Sequence, residues 1–589
     1  MTENTRPKDL NKENSLNTSK KGESIMSSDE KEQKRATRRE FIKGAAVGAA
    51  AVAGAGALAS CAGPQGGVGP QGPAGTAGPA GPAGPAGPAG IAGPAGPAGI
   101  AEIKWDKETD VVVVGSGNGG MSAAIAAAKE GAKVIVVEIS SWTGGAAGFA
   151  AGSIHTSGIT TWDQFVQYTE GRFIAELGEA FWNNYVPYLE WLEAIGAYFT
   201  PTPPPGLGGR FGKGEPHPIH DRMYIDSLVK IFEDSGGTLL LKTRALRILT
   251  DEEGAIVGLK AKGPEGTLNI KAKAVILACG GFFSNQELKG KYLGPNASYT
   301  SVLGTPYNMG DGMSMAQEVG ASLSGFMGNV CSSPGPAYPF RNPQTEREDY
   351  ERRDGYTSKF GEGKGEYWLV GYCRPPKEQI WVNWNGKRFF DESTEERMRG
   401  KHAYFQGVEF WLQRRAEAFS VYDGAMWDAV KNNTHTITDI GTVTIQQCLD
   451  LLRNYGGIVV TEDTIGGLAG KLEALTPGMH KANFLKTINE YNKAVTAGTT
   501  KELEVPRTGI FAKIETPPFY AVLLTHYIIQ TIGGVAINGN AQVLDMQKEV
   551  IPGLYAVPPT AESGVERYVG GIAQAGTFGY IAGKSAAKA

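Results

Sequence analysis

Asp110-Val-Val-Val-Val114 is an unbroken β-branched run, the pattern of a strand buried on both faces. A glycine-dense stretch, Gly115-Ser-Gly117-Asn-Gly119-Gly120, separates it from Met121–Glu130, whose alanine-rich sequence predicts a helix. Ala132–Val137 predicts a second buried strand, which completes a βαβ unit and sets the fold class as α/β. Ala274-Val-Ile-Leu277 predicts another buried strand, closed by Gly280-Gly281. Ile551–Val557 does the same near the C-terminus, ahead of Gly570-Gly571 and a helix over 573–586. Upstream of Asp110 this patterning is missing. Residues 1–36 are polar, charged and poor in aromatics, the composition of a disordered extension. Gly44–Ala59 is a soft apolar run, shorter than the roughly 20 residues a bilayer span needs. From Gly63 to Gly99 glycine recurs at every third position, mostly as Gly-Pro-Ala. That period fits a collagen-like triple helix or, favoured for so short and alanine-rich a block, a stiff polyproline-II spacer reaching on the order of 100 Å.

The glycines of the βαβ unit have separate physical tasks. Gly115 permits the tight turn, Gly117 lets the backbone approach a pyrophosphate, and Gly120 lets helix and strand pack closely. The helix N-terminus offers N–H groups and a positive dipole end to phosphates. Glu138, eighteen residues after Gly120 at the end of the second strand, is placed to accept hydrogen bonds from a ribose. The context predicts a dinucleotide site containing Gly115, Gly117, Gly119, Gly120 and Glu138. Composition changes this picture little: charged residues are 20%, the net charge is −4, and glycine is the outlier at 82 of 589. This ordinary balance gives no basis for a nucleic-acid partner. The five cysteines form no C-x-x-C or C-x-x-C-H, so neither a c-type haem, a cysteine-caged cluster nor a structural metal site is expected.

Two resemblances extend the reading. Thr37-Arg38-Arg39-Glu40-Phe41-Ile42-Lys43 with the run that follows resembles a bacterial twin-arginine signal, and Leu58-Ala59-Ser60-Cys61 resembles a lipobox. They imply export of a folded, cofactor-loaded protein and acylation of Cys61 as a membrane anchor; ordinary cleavage with an incidental cysteine is the alternative. The body, roughly 104–589, resembles the FAD-dependent fumarate reductase, urocanate reductase and ketosteroid dehydrogenase family. It shares the Gly115 fingerprint with Glu138, Ala278–Phe282, Met309-Gly-Asp311-Gly312 with Met315-Ala316, Val382-Asn383-x-x-Gly-Lys-Arg-Phe389, Ile532-Gly533-Gly534 and Pro552-Gly-Leu-Tyr555. The resemblance implies a Rossmann-like FAD-binding domain with an inserted α+β capping domain. It adds Gly144, Gly145, Gly280, Gly281, Asp311, Glu562 and Gly570 to the expected FAD contacts. The expected organisation is a leader over 1–61, a stalk over 62–103, FAD-binding segments over 104–325 and 515–589, and a cap over 326–514. Its aromatics, among them Tyr338, Tyr356, Tyr367, Trp368 and Tyr372, are expected to line an apolar site or simply its core.

The implied reaction reduces a C=C bond activated by a neighbouring carbonyl, as a respiratory electron sink. Where fumarate reductases place an arginine before the Gly pair, this chain has Tyr568, with Arg567 one step earlier. Tyr568-Val-Gly570 and Thr577–Ala582 are similar to ketosteroid dehydrogenases, in which a tyrosine hydroxyl and a glycine N–H polarise a ketone. The expected donor pair is therefore Tyr568 with an N–H of Gly570 or Gly571. The proton-delivering arginine falls on Glu396 when counted from Glu392; a one-residue shift makes it Arg397, which otherwise joins Arg399 as a solvated ion-pair partner. Ile529 and Gln530 stand where a substrate histidine is expected, leaving His526, His155 and His402 as possible donors. Expected partners are a small unsaturated carbonyl substrate and a separate cytochrome, flavoprotein or quinol-linked electron donor. A ketosteroid dehydrogenase-like enzyme working in the oxidative direction is the alternative, and a non-catalytic surface binding protein a remote one.

Overall fold

A computed structural model describes residues 103–149, 153–156, 159–199, 217–218, 221–302, 304–331, 335–336, 376–394, 408–437, 441–454, 457–476, 478–509 and 511–589. The chain divides into units 1–94 and 95–589, and every described residue belongs to the second. The leader, Cys61, the Gly-Pro-Ala stalk, Arg397, Arg399, His402 and the five named cap aromatics lie outside the described residues.

The central layer is a six-stranded sheet. Its elements in chain order are β1 (Val111–Val114), the helix α1 (Asn118–Lys129), β2 (Val134–Val137), β3 (Thr238–Leu240), β4 (Ala274–Leu277), β5 (Gln542–Leu544) and β6 (Val550–Ala556). Across the sheet they run β5-β6-β4-β1-β2-β3, all parallel except the β5 edge. β1, β2 and β4 are buried at every position, which is why these short runs are continuously apolar instead of alternating. The register Val111↔Ala274 and Val114↔Leu277 brings the ends of β1 and β4, each followed by glycines, side by side. The last helix, α2 (Gly571–Ala586), packs along α1. A Cβ on Gly579 would stand 2.2 Å from the Gly119 carbonyl oxygen, and one on Gly583 2.2 Å from that of Ala123. The two helices therefore touch backbone to backbone.

A second core surrounds a five-stranded antiparallel sheet. Phe519–Thr525 is its central strand, with Glu417–Tyr422 on one edge and Val459–Glu462 and Gly335–Pro336 sharing the other; Ile380–Val382 closes the sheet beyond Glu417–Tyr422. This core runs on to Leu524, ten residues past the expected boundary at 514, because Phe519–Leu524 is paired on both edges and almost wholly buried. The chain leaves this sheet at Thr525, and after His526 enters a three-stranded sheet through Tyr527–Ile532. Among the described residues no helix is long and apolar enough to cross a membrane.

Candidate active site

A long cleft runs across the carboxyl ends of β1, β2 and β4, where ligands sit in open parallel sheets. At one end the turn after β1 has Gly115 at φ +105°, where an added Cβ would lie 2.5 Å from the Ala278 carbonyl oxygen. A Cβ on Gly120 would meet the Gly115 carbonyl oxygen at 1.9 Å, so Gly120 serves the strand–helix contact behind the cleft wall. Gly117 differs. A Cβ there would find only the Gly144 carbonyl oxygen within 4 Å and would stand in the cleft itself. Gly117 is also the N-cap of α1 and brings no side chain to the helix end, leaving first-turn N–H groups for a ligand.

Glu138 projects from the end of β2 into the same wall. Its carboxylate accepts from the Ser116 N–H (2.9 Å) and O–H (2.7 Å) and from the Ser140 N–H (2.9 Å). Burial raises its pKa, and hydrogen bonds from Ser116 and Ser140 oppose the shift. Gly145, Gly280 and Asp311 also line the cleft. Asp311 opens the helix Asp311–Glu318 and holds Arg244, whose guanidinium lies 3.1 Å from both carboxylate oxygens. Beside them the Asn308 amide nitrogen is buried in the wall with no hydrogen-bond partner. A buried donor left without a partner costs about 1–3 kcal/mol, so this atom marks a place where a ligand acceptor belongs. The open Gly117 cradle, the bare helix end and the orphan Asn308 amide together fit an extended dinucleotide.

Three of the sequence-derived glycines and one acid stand behind the wall rather than in it. Gly120 has been described. Gly144 ties the next loop to the β1 turn through its N–H to the Ser116 carbonyl, 3.2 Å. A Cβ on Gly281 would collide with the Thr531 hydroxyl at 1.8 Å. Glu562 is buried against the Ser324 hydroxyl and the Ile537 N–H, and burial raises its pKa.

At the other end of the cleft stand Tyr568, Gly570, Gly571, His155, Ile529 and Gln530. Gly570, at φ +100°, caps α2; a Cβ on it would overlap the His155 carbonyl oxygen at 1.8 Å. The His155 ring meets the Tyr568 ring edge-on, centroids 5.7 Å apart. A Cβ on Gly571 would lie 2.4 Å from the Gln530 amide oxygen and 3.7 Å from the Tyr568 ring, so Gly571 lets the amide and the phenol converge on the helix end. Arg567 does not reach the cleft: it pairs with Glu170 at 2.9 Å and donates to the Tyr168 carbonyl. His526 is also withdrawn. It is fully buried against Phe410, neither ring nitrogen has a partner, and burial pushes its pKa down to about 3. Asn308, Arg244 and Gln530 were not singled out as site residues from the sequence; Gln530 had a usable signal, since it directly precedes Thr531-Ile-Gly-Gly534.

The chain matches the FAD binding domain family over residues 110–572. It is 28% identical to the probable fumarate reductase Ifc3 of Shewanella frigidimarina over 507 residues, which cover 82% of this chain and 75% of that protein. With the urocanate reductase of Eggerthella lenta it shares 26% identity over 514 residues, 82% of this chain and 75% of that one. The solved 3-ketosteroid delta1-dehydrogenase from Sterolibacterium denitrificans, in complex with 1,4-androstadiene-3,17-dione, superimposes with a TM-score of 0.59 at 20% identity, over 82% of this chain and 100% of that chain. A glycine cradle at the end of β1, an acid at the end of β2 and a family match running from Asp110 to Ile572 lead to one conclusion: this chain belongs to the FAD binding domain family and is an FAD-dependent oxidoreductase.

Proposed function

We propose that the protein reduces a carbon–carbon double bond activated by a neutral carbonyl, as in an enone or an aryl-substituted enoate. The observation that carries this reading is the meeting of Tyr568 with the N-terminus of α2 in one wall of the cleft, while Arg567 is held back by Glu170. When bound and reduced, FAD supplies a hydride to one carbon of such a bond. The Tyr568 hydroxyl and the first-turn N–H of Gly571 are assigned to the carbonyl oxygen, where negative charge develops, and the positive end of the α2 dipole adds to them. Gln530 offers a neutral amide at the same point. A buried dicarboxylate requires charged clamps, and none of the described residues grouped with Tyr568 at this end of the cleft lining is an arginine or lysine.

For the cofactor, Glu138, held in the cleft wall by Ser116 and Ser140, is assigned to a ribose hydroxyl. Gly117 and the α1 N-terminus are assigned to the pyrophosphate. Gly119, Gly145, Gly280, Asp311 and Gly570 complete the proposed contacts. Arg397 or, beside Tyr568, His155 is assigned the proton for the second carbon. The relatives named as reductases of unsaturated acids support the reductive direction and an external electron donor. The proposed location is extracytoplasmic, with the lipid anchor at Cys61 and a cytochrome or quinol-linked partner feeding electrons. The tyrosine–glycine pair also favours a second reading, oxidation of a cyclic ketone next to its carbonyl.

Purified protein, loaded with FAD and supplied with reduced viologen, is expected to turn over enones or aryl enoates faster than fumarate. Tyr568→Phe is expected to lower turnover by about 10² or more, the usual cost of losing an oxyanion donor. Unchanged turnover in that variant removes Tyr568 from the chemistry. Oxidation of a saturated cyclic ketone with an artificial acceptor, without enoate reduction, selects the second reading.

A further inference from the structure

Tyr568 sits in a segment without regular secondary structure, between Gly564 and the first turn of α2, with a left-handed glycine at each end: Gly564 at φ +70° and Gly570 at φ +100°. Such a segment has backbone freedom to spare, and a donor on it is useful only if something outside fixes it. We infer that Tyr168, Glu170 and Arg567 form a clamp that positions Tyr568; the inference rests on the reading of Tyr568 as the carbonyl donor.

The clamp is built on the end of the helix Trp162–Thr169. This helix stops at Glu170, which is left-handed at φ +54°. The chain then turns and runs antiparallel to the tyrosine segment. The Ile174 N–H donates to the Gly564 carbonyl at 2.7 Å, Phe173 bridges Val565, and the Glu566 N–H reaches the Arg172 carbonyl at 3.4 Å. Where this backbone pairing ends, side chains take over. The Tyr168 hydroxyl donates to the Tyr568 carbonyl at 2.9 Å. Arg567 donates to the Tyr168 carbonyl, pairs with Glu170 at 2.9 Å and lies over the Tyr168 ring, 5.8 Å from its centroid.

The chemistry suits the place. The Tyr168 carbonyl is one of the last four of its helix, which lack intrahelical partners, and a cation at a helix C-terminus is favoured by the dipole. The Arg567 side chain is only 11% exposed, so this pair is less screened than an ordinary surface ion pair. A planar guanidinium serves carbonyl, carboxylate and ring together, which a lysine cannot do. The arrangement also has a consequence for selectivity. The cation adjacent to Tyr568 in sequence is spent on the clamp, on the side away from the cleft.

Tyr168→Phe and Arg567→Lys test the clamp in the full-length, FAD-loaded protein. Each is expected to lower kcat by about 10- to 100-fold, the range of a small misplacement of a reacting group, with KM and flavin content unchanged in protein that is folded at the assay temperature. Tyr168→Phe added to Tyr568→Phe is expected to cause no further loss, because both act through one hydroxyl. Wild-type kcat in Tyr168→Phe, or losses that multiply in the double variant, overturns the clamp while leaving Tyr568 in place. A fully active Tyr568→Phe overturns both the donor assignment and the clamp. Should Arg567→Lys fail to fold, Tyr168→Phe, which deletes a single hydroxyl, still decides the matter.

Discussion

The cleft end of the parallel sheet and the core of the antiparallel sheet both bury polar groups, and use them in opposite ways. Around β1 and α1 the polar groups face a gap: bare N–H groups at a helix end, an Asn308 amide with no partner, a glycine whose missing side chain leaves room. In the second core the buried charges Arg388, Glu392 and Arg507 are matched within the protein. Glu392 accepts from the Trp381 N–H at 2.8 Å and from Arg388 at 2.5 and 3.0 Å, and Arg507 lies 3.9 Å from it. Arg507, fully buried, donates to the carbonyls of Lys377, Glu378 and Gln379. The lesson is that burial of a charge does not mark function; an unmet bonding group fits a ligand only where it faces open space, as Asn308 does in the cleft wall and His526, packed against Phe410, does not.

The sharpest way to break the comparison is to fill the gap. Gly117→Leu starts a side chain in the cleft with its Cβ no closer than 3.7 Å to the protein, and is expected to abolish flavin uptake, leaving a colourless protein with a near-native unfolding curve. Gly583→Leu is the control. Its first side-chain atom would meet the Ala123 carbonyl oxygen at 2.2 Å and the Ala126 side chain at 2.8 Å, so it is expected to destabilise the α1–α2 contact rather than block the ligand directly. Absorbance at flavin wavelengths against melting midpoint separates the two. A yellow Gly117→Leu protein would mean that the cradle holds something else.

What was legible in the sequence follows the same division. The βαβ unit could be read because its signals are local: a buried strand, glycines within a few residues, an acid at the next strand's end. Tyr568 and the α2 N-terminus were legible through resemblance. Asn308 was not, because its importance comes from Gly280, whose Cβ would lie 1.9 Å from the Asn308 side-chain oxygen, and from a wall drawn from distant segments. The segment Thr577–Ala582, read from the sequence as a mark of ketone chemistry, includes Gly579, whose task here is the contact with α1. In the sequence Glu392 serves only as a counting point for the proton-delivering arginine. The residue that closes its network, Arg507, lies far downstream.

A smaller effect is expected in the second core. Glu392→Gln leaves Arg388 and Arg507 buried without their counter-charge, with side chains 5% and 0% exposed. Removing one partner of a buried ion pair costs about 3–5 kcal/mol. Denaturant unfolding is expected to show that loss, while flavin content and kcat of the folded fraction stay at wild-type values. A loss of flavin at full stability would show that this core reaches the cleft after all.

The smallest effect belongs to His526, at the passage from one sheet to the other. Its ring is neutral in the folded protein because burial beside Phe410, without a partner for either nitrogen, opposes protonation. Its ordinary pKa is 6.5 and its folded value about 3. The unfolded chain therefore binds the proton more readily between those limits. Folding keeps this contribution above pH 6.5 and loses it as the pH falls toward 3. At pH 5 the gap of about 1.5 units corresponds to about 2 kcal/mol. Replacing the ring by a side chain that cannot ionise, His526→Leu, is expected to flatten that part of the stability curve between pH 7 and 5 relative to wild type. The comparison uses the difference between the two proteins, since surface carboxylates titrate alike in both. Equal slopes would mean that His526 finds a proton acceptor or water when folded, and would move it from the packed, partnerless groups to those whose bonding demand is met.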